Sequence, residues 1–145
     1  VAVDLNLYDH VRDQIMGYPF SNRIHLYKGS STDTVVVDKI KSHIKAGQKV
    51  MVCLDSNHTH QHVLDELRLY APLVSKGQYL IVSDTVVEDI PPQEHRPRPW
   101  GPGDNPKTAL RQYMKENDRF EIDQYINDKL LLTYTPDGYC RCIKD

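Results

Sequence analysis

The pattern that most limits the possible folds is a series of short apolar runs that end in an acid. Three such runs are VAVDLN (1–6), KVMVCLD (49–55) and QYLIVSD (78–84). They read as buried strands that stop at Asp4, Asp55 and Asp84, and helical patterns over 32–47 and 60–74 lie between them. Continuous apolar strands separated by helices are typical of a parallel sheet covered on both faces. We therefore predict an α/β fold with a Rossmann-like, doubly wound, mostly parallel sheet.

The three strand-end aspartates favour a cleft lined with carboxylates. A single aspartate can simply stop a strand and begin a turn. In open parallel sheets, however, ligands bind beyond the carboxyl ends of the strands, and Asp4, Asp55 and Asp84 are all expected at that edge.

The last third of the chain predicts a helix and an antiparallel hairpin. Asn105 and Pro106 are suited to the cap and the first position of a helix over 105–117. The segments 129–135 and 138–143 are predicted to pair as an antiparallel C-terminal hairpin across a Pro-Asp-Gly turn. Since 145 residues suit one domain, we predict a single domain over 1–145.

A proline-rich segment, 85–106, contains the only tryptophan of the chain. Loops of this length are usually functional, and Arg96, Arg98 and Trp100 are candidates for contacting a substrate. The alternative is a solvated loop stiffened by its prolines.

Composition excludes several partners. With a net charge of −2 and no long basic run, the chain lacks the electrostatic footprint of a nucleic-acid-binding protein. No apolar stretch reaches the roughly 20 residues needed to span a bilayer. Three cysteines cannot pair completely, which favours a reducing, cytoplasmic setting. A homo-oligomer remains open.

Three histidines, His58, His60 and His62, raise the possibility of a zinc site. From Thr59 the sequence reads as the start of a helix, where residues two apart diverge. Only His58 and His62 could converge, which is short of the three protein ligands of a catalytic zinc. We expect His60 and His62 on the helix surface.

Asp55 and Asp84 suit magnesium better, because carboxylate oxygens are the ligands that this ion prefers. Thr85 could add a hydroxyl ligand. His58 could accept the proton of a hydroxyl substrate that is bound near the ion.

Three long segments, LDSNHTHQHVLDELRLYAPLV, YLIVSDT and RPWGPGDNPKTAL, carry a resemblance to a known family. The chain resembles the class I S-adenosylmethionine-dependent methyltransferases, and within them the cephalosporin hydroxylase/rhamnosyl O-methyltransferase family. The resemblance implies methyl transfer from S-adenosylmethionine to a hydroxyl of a sugar or another polar small molecule, assisted by Mg²⁺ or a similar cation. It also implies an antiparallel last strand.

The resemblance implies cofactor-binding residues. Asp4 matches the acid that holds the ribose hydroxyls, and Gly29–Asp33 is similar to a turn whose serine contacts the adenine, which makes Ser30 and Ser31 candidates. Asp55 is also placed among the cofactor-binding residues.

The resemblance also implies a metal and a base. Asp55 resembles the first metal-binding acid and has a catalytic role, Asp84 resembles the second acid, and Thr85 occupies the position of a neighbouring ligand. His58 falls where related enzymes place a lysine base, and a histidine could do that work nearer neutral pH.

The chain departs from the family pattern in two respects. Ser56 and Ser83 stand where members often carry a second acid, and no glycine-rich loop follows a first strand. We expect that the first strand is missing and that the chain is a partial domain, which needs upstream residues to bind the cofactor. The alternatives are a non-catalytic methyltransferase-like binding or assembly module and a nicotinamide-dependent oxidoreductase, which would not need Asp55, His58 and Asp84.

Overall fold

The structure is a computed structural model that describes residues 1–92 and 94–145. These residues form two compact units, Val1–Gln48 and Lys49–Asp145, and each combines helices with a parallel pair of strands. The predicted α/β class is confirmed, whereas the single domain and the missing first strand stay predictions. Among the described residues, none of the helices has the length and apolar character needed to cross a bilayer.

The first unit contains a two-stranded parallel sheet. Its elements are β1 (Ala2–Asp4), α1 (Asp9–Met16), a 3₁₀ turn (Ser21–Arg23), β2 (Leu26–Lys28) and α2 (Thr34–Ser42). Asp4 lies opposite Lys28, at the carboxyl end of both strands. Helix α2 lies within the predicted range 32–47 but is shorter, and it begins after Asp33 because the Asp33 side chain accepts a hydrogen bond from the Val35 amide at 2.8 Å.

The second unit is built on a four-stranded sheet. Its elements are β3 (Val52–Leu54), α3 (His60–Tyr70), a 3₁₀ turn (Ala71–Leu73), β4 (Tyr79–Val82), a 3₁₀ turn (Thr85–Glu88), α4 (Pro106–Glu116), β5 (Phe120–Ile122), α5 (Gln124–Leu130) and β6 (Tyr139–Cys142). The strand order is β3-β4-β6-β5. Strands β3 and β4 are parallel, and β6 is antiparallel to both of its neighbours.

Helices α3 and α4 form the core of the second unit together with the sheet. The apolar face of α3 is buried, and Leu67 and the β4 residue Leu80 are fully inaccessible to solvent. Helix α4 starts as expected, with Pro106 at its first position and a capping box between Asn105 and Thr108. This start places the end of the proline-rich loop against the core.

The predicted hairpin between 129–135 and 138–143 is wrong. The antiparallel last strand is present as β6, but its partners are β4 and β5. A strand has only two hydrogen-bonding edges, so none remains for 129–135. Asp123 caps α5, which continues to Leu130, and Leu131 and Leu132 are exposed.

Candidate active site

Two of the predicted acids come together at the carboxyl ends of β3 and β4. Asp55 directly follows β3, and Asp84 is the second residue after β4. Asp84 has a left-handed backbone, with φ of 55°, a conformation that aspartate tolerates better than most residues. One ligand atom each from Asp55, His58 and Asp84 lies within 4.8 Å of the others. This group is the candidate active site.

His58 is the central member of the group. Its Nε2 atom forms a hydrogen bond with a carboxylate oxygen of Asp84 and lies 3.8 Å from Oδ1 of Asp55. The imidazole is only 17% exposed, and its Nδ1 atom is buried without a hydrogen-bond partner among the described residues. Asn57 stabilises the turn that contains His58, since its side chain accepts a hydrogen bond from the Thr59 amide at 2.9 Å.

The donor atoms of the group fit a divalent cation. Asp55 and Asp84 provide hard oxygen ligands of the kind that Mg²⁺ prefers, and both carboxylates are reachable from solvent, from which the ion would keep several waters. The imidazole of His58 adds a nitrogen that can act as a ligand or as a base.

The hydroxyl residues beside the acids are engaged elsewhere. Thr85 is fully buried, and its hydroxyl donates a hydrogen bond to the Pro136 carbonyl at 2.6 Å. Ser83 is also buried, and Ser56 donates its hydroxyl hydrogen bond to Glu66 at 2.7 Å. The role of Thr85 as a metal ligand stays a prediction, and the hydrogen bond of its hydroxyl to Pro136 does not support that role.

The proline-rich loop forms a cavity of about 590 Å³ next to the group. Its lining includes His58, Asp84, Arg96, Arg98 and Trp100, together with apolar residues of the loop. The Trp100 indole stacks on the His58 imidazole with ring centroids 4.9 Å apart, and the Arg98 guanidinium lies over the indole at 5.3 Å. The three loop residues predicted to contact a substrate therefore face the same cavity as two members of the group.

Glu88 fixes the far end of this loop. Its carboxylate accepts hydrogen bonds from the Gly103 amide at 2.8 Å and from the buried Asn105 side chain at 2.5 Å. These two bonds, the Gly103 bond first, lower the pKa of Glu88. The loop is thus attached to the start of α4 by a carboxylate that stays ionised at neutral pH.

His60 does not lie on the helix surface as expected. Its backbone amide donates a hydrogen bond to Asp104 at 2.6 Å, and its ring nitrogens lie 2.8 Å from the Thr108 hydroxyl and 3.0 Å from the Gln112 side chain. His60 therefore ties α3 to α4, and it does not join the metal-binding group.

Glu66 is a site residue that the sequence analysis missed. It lies on the buried side of α3 and is 2% exposed. Burial, and then the nearby charge of Glu66, raise the pKa of Tyr70 to about 12. The sequence contains a signal for this residue. Glu66 lies three residues after Val63 and one before Leu67, on the apolar face of the helix, and an acid is rarely buried unless it has a partner.

Three of the four candidate cofactor residues, Asp4, Ser30 and Ser31, lie together in the first unit, whereas Asp55 belongs to the second. The Gly29 amide donates a hydrogen bond to the Asp4 carbonyl at 3.1 Å, so Asp4 is adjacent to the turn that contains Ser30 and Ser31. A Cβ atom at Gly29 would lie 2.9 Å from the Val36 side chain, which requires glycine at this close approach. The turn fits a ligand held at the carboxyl ends of β1 and β2.

Comparison with known proteins identified a matching family model and several relatives. The sequence model of a family described as Rhamnosyl O-methyltransferase/CmcI matches residues 1–143. The chain is similar to a rhamnosyl O-methyltransferase of Mycobacterium tuberculosis (strain ATCC 25618 / H37Rv), with 33% identity over 115 residues that cover 77% of this chain and 44% of the relative. A rhamnosyl O-methyltransferase of Mycobacterium leprae (strain TN) is 33% identical over 92 residues, 63% of this chain and 38% of the relative. The chain thus spans less than half the length of these curated relatives. No solved structure matches it.

Proposed function

Because the chain belongs to the rhamnosyl O-methyltransferase/CmcI family, we propose that it carries the site of an S-adenosylmethionine-dependent O-methyltransferase. The acceptor is a hydroxyl of a sugar, such as a rhamnosyl group, or of another polar small molecule. The observation that carries the proposal is the Asp55, His58 and Asp84 group, two members of which, His58 and Asp84, line a cavity large enough for such a molecule.

The cofactor contacts are proposed in the first unit. S-adenosylmethionine supplies the methyl group when it is bound. Asp4 holds the ribose hydroxyls, and Ser30 and Ser31 lie in the turn that receives the adenine; the adjacency of Asp4 to this turn supports both roles. A cofactor-binding role for Asp55 is proposed from the family alone.

Asp55 and Asp84 are proposed to hold a magnesium ion or a similar divalent cation. Such an ion would favour ionisation of the acceptor hydroxyl. His58 is proposed to accept the hydroxyl proton at Nε2. This nitrogen is hydrogen-bonded to the Asp84 carboxylate, which can only accept a hydrogen bond, so Nε2 would be free to take the proton once a cation held that carboxylate instead. Ser56 and Ser83 stand where family members often carry a second acid. Only the carboxylates of Asp55 and Asp84 are therefore proposed for the ion, and we expect modest metal affinity.

The proline-rich loop is proposed to position the acceptor. The Trp100 indole and the apolar wall of the cavity can pack against the C–H face of a sugar, while Arg96 and Arg98 can bind a carboxylate or phosphate on the same substrate. Methyl transfer requires the hydroxyl to be aligned with the methyl group, so positioning supplies much of the rate.

Methyl transfer by the complete protein that contains residues 1–145 tests the proposal. Calorimetry measures S-adenosylmethionine binding, and transfer of a radiolabelled methyl group to a panel of rhamnosides is followed with Mg²⁺ and with a chelator. We expect transfer that depends on Mg²⁺, and His58→Ala should lower kcat by about 10²- to 10⁴-fold without weakening cofactor binding. His95→Ala, which removes an exposed histidine of the loop, is the matched control.

Two outcomes would contradict the proposal in different ways. A folded complete protein that does not bind S-adenosylmethionine would overturn the methyltransferase assignment. Cofactor binding without transfer to any hydroxyl acceptor would favour the non-catalytic binding module.

A further inference from the structure

A carboxylate at the end of the proline-rich loop caps helix α3 from outside that helix. Asp104 accepts a hydrogen bond from the amide of His60, the first residue of α3, with 2.6 Å between nitrogen and oxygen. Thr59, in the usual capping position, makes no side-chain cap, and its hydroxyl donates to Asn57 at 2.9 Å instead. The first amides of a helix need acceptors from outside it, and the helix dipole favours a carboxylate there. Asp104 therefore supplies a cap that the adjacent sequence does not.

A tight turn connects this cap to Trp100. Gly101 and Asp104 exchange two backbone hydrogen bonds, each of 3.0 Å. Pro102 and Gly103 occupy the two central positions. Proline followed by glycine suits a type II turn, whose third residue has a positive φ, and φ of Gly103 is 89°. Trp100 directly precedes this turn, so the position of Asp104 limits where the indole can lie.

The cap and the aromatic stack join the same two short segments, the residues around the start of α3 and the end of the loop. The Trp100 indole stacks on His58 with ring centroids 4.9 Å apart. Asp104 binds the amide of His60, two residues after His58. When one contact already holds two segments together, the second forms with little further loss of freedom, so each stabilises the other.

We propose that Asp104 is a positioning residue that holds Trp100 against His58 and so fixes the wall on which the acceptor binds. Asp104 is not among the residues that line the cavity, and it acts through the indole. A capping side chain at Thr59 would serve the helix equally well, but it would not tie the loop to α3. The inference rests on the proposed function for the role of Trp100 in acceptor binding.

Two measurements on the complete protein test the proposal. The nuclear Overhauser effect between ring protons of His58 and Trp100 reports the stack, and steady-state kinetics give the acceptor KM. In Asp104→Ala we expect this effect to weaken at least about threefold and the KM to rise about 2- to 10-fold, as for the loss of an aromatic contact. The dissociation constant of S-adenosylmethionine should not change. Asp104→Asn keeps an acceptor oxygen that caps helices about as well, so it should restore the stack and the KM.

Asp123→Ala is the matched control, because Asp123 caps α5 with a side-chain bond of the same kind. It accepts a hydrogen bond from the Ile126 amide at 3.3 Å and another from the Tyr79 hydroxyl at 2.6 Å, and it does not line the cavity. Its loss should destabilise the second unit at least as much as the loss of Asp104, without a change in the stack or the KM. If Asp104 served helix stability alone, Asp104→Ala would leave the stack and the KM as unchanged as this control does.

A double-mutant cycle separates an effect through the indole from a direct one. If Asp104 acts through Trp100, Asp104→Ala should add less than about twofold to the KM of Trp100→Ala, because that wall is already absent. Independent effects would multiply instead. If Asp104→Ala does not fold, the coupling is measured from the other side. Coupling is reciprocal, so Trp100→Ala should accelerate amide exchange at His60 about fivefold, and Trp100→Phe should change it little.

An unchanged stack and KM in folded Asp104→Ala would overturn the proposal, and so would multiplied effects in the cycle. Unaltered exchange at His60 in Trp100→Ala would do the same. Neither the Overhauser effect nor amide exchange depends on turnover. A protein that transfers no methyl group but loses the stack in Asp104→Ala would therefore contradict the proposed function and leave the positioning of Trp100 by Asp104 supported.

Discussion

The His58 imidazole and the Trp100 indole lie face to face, with their planes inclined by 26°. The two residues come from different elements, since His58 follows β3 and Trp100 belongs to the proline-rich loop. This stack covers the ring that carries the proposed base and places the loop where an acceptor would bind. The loop therefore contributes a wall of the site as well as a connection between β4 and α4.

Replacing Trp100 should weaken acceptor binding. The indole is partly exposed and lines the cavity, and aromatic stacking contributes about 0.5–1.5 kcal/mol, so Trp100→Ala should raise the acceptor KM by roughly 2- to 10-fold. Trp100→Phe keeps a stacking surface and should recover most of the affinity. Steady-state kinetics check both variants, and an unchanged KM in Trp100→Ala would exclude the indole from acceptor binding.

Removing one carboxylate should weaken metal binding. Asp84→Asn and Asp55→Asn each take away one of two hard anionic ligands, and we expect the Mg²⁺ dissociation constant to rise at least about tenfold. Calorimetry with Mg²⁺ and electron paramagnetic resonance with Mn²⁺ measure this constant. Asp128→Asn, an exposed acid on α5, controls for the change in net charge. Equal affinity in all three variants would show that the ion binds elsewhere.

The strand-end rule correctly predicted that Asp55 and Asp84 lie close together, but it wrongly placed Asp4 at the edge of the same sheet, since β1 pairs only with β2 among the described residues. Parallel neighbours bring their carboxyl ends to one edge, so acids after two apolar runs had to meet if β3 and β4 paired. The structure pairs them and places Asp55 near Asp84. The helix that starts at Pro106 was also predictable, because its cap depends on local residues.

The features that the sequence did not predict depend on contacts between residues that are distant along the chain. The apolar run that contains Leu131 and Leu132 looks like a strand, but β6 has both edges occupied by β4 and β5, and only the sheet order reveals this. The sequence pattern places His60 on the helix surface, and only the packing of α4 against α3 brings its ring to Thr108. Glu66 could be recognised in the sequence as a charged residue on the apolar face of α3. Its partner Ser56, however, is ten residues away, in a loop whose path the sequence does not specify.

The buried ammonium of Lys107 should stabilise the second unit. Its Nζ atom lies 2.7 Å from Asp89 and 3.1 Å from Asp137. Lys107→Met leaves the two acids without their cation, and because both acids are partly exposed we expect a loss of about 2 kcal/mol in the free energy of unfolding. Denaturant unfolding measures it, and Lys115→Met, an exposed position on the same helix, should change little. An equal effect at both positions would refute this role.

Because of the same ion pairs, we expect the free energy of unfolding to depend on pH in the alkaline range. Burial alone would lower the pKa of Lys107, but the hydrogen bonds and charges of Asp89 and Asp137 outweigh it, so the pKa is raised. This stabilisation is therefore complete below the unfolded pKa of about 10.4 and is lost as the pH rises through the higher folded value. The difference in stability between wild type and Lys107→Met should shrink in that range.

Glu88 should control the opening of the proline-rich loop. Glu88→Gln keeps one acceptor but removes the charge, and charge-assisted hydrogen bonds are the stronger ones, so amide exchange at Gly103 should accelerate about fivefold. Because the folded pKa of Glu88 is lowered, its contribution is present above the unfolded value of about 4.3 and is lost as the pH falls through the folded value. Glu94→Gln, an exposed acid of the loop, is the control. Unaltered exchange at Gly103 would contradict the anchoring role.

Leucine truncation distinguishes the observed fold from the predicted hairpin. Leu67 is fully buried in α3, whereas Leu132 is 91% exposed. Leu67→Ala should therefore cost about 2–5 kcal/mol in the free energy of unfolding, and Leu132→Ala should stay within about 0.5 kcal/mol of the wild type. Had 129–135 formed a strand of the hairpin, truncation of Leu132 would remove a packed side chain and cost more than 1 kcal/mol, by the same principle. Denaturant unfolding of both variants decides between the two arrangements, because only the observed one predicts so large a difference between them.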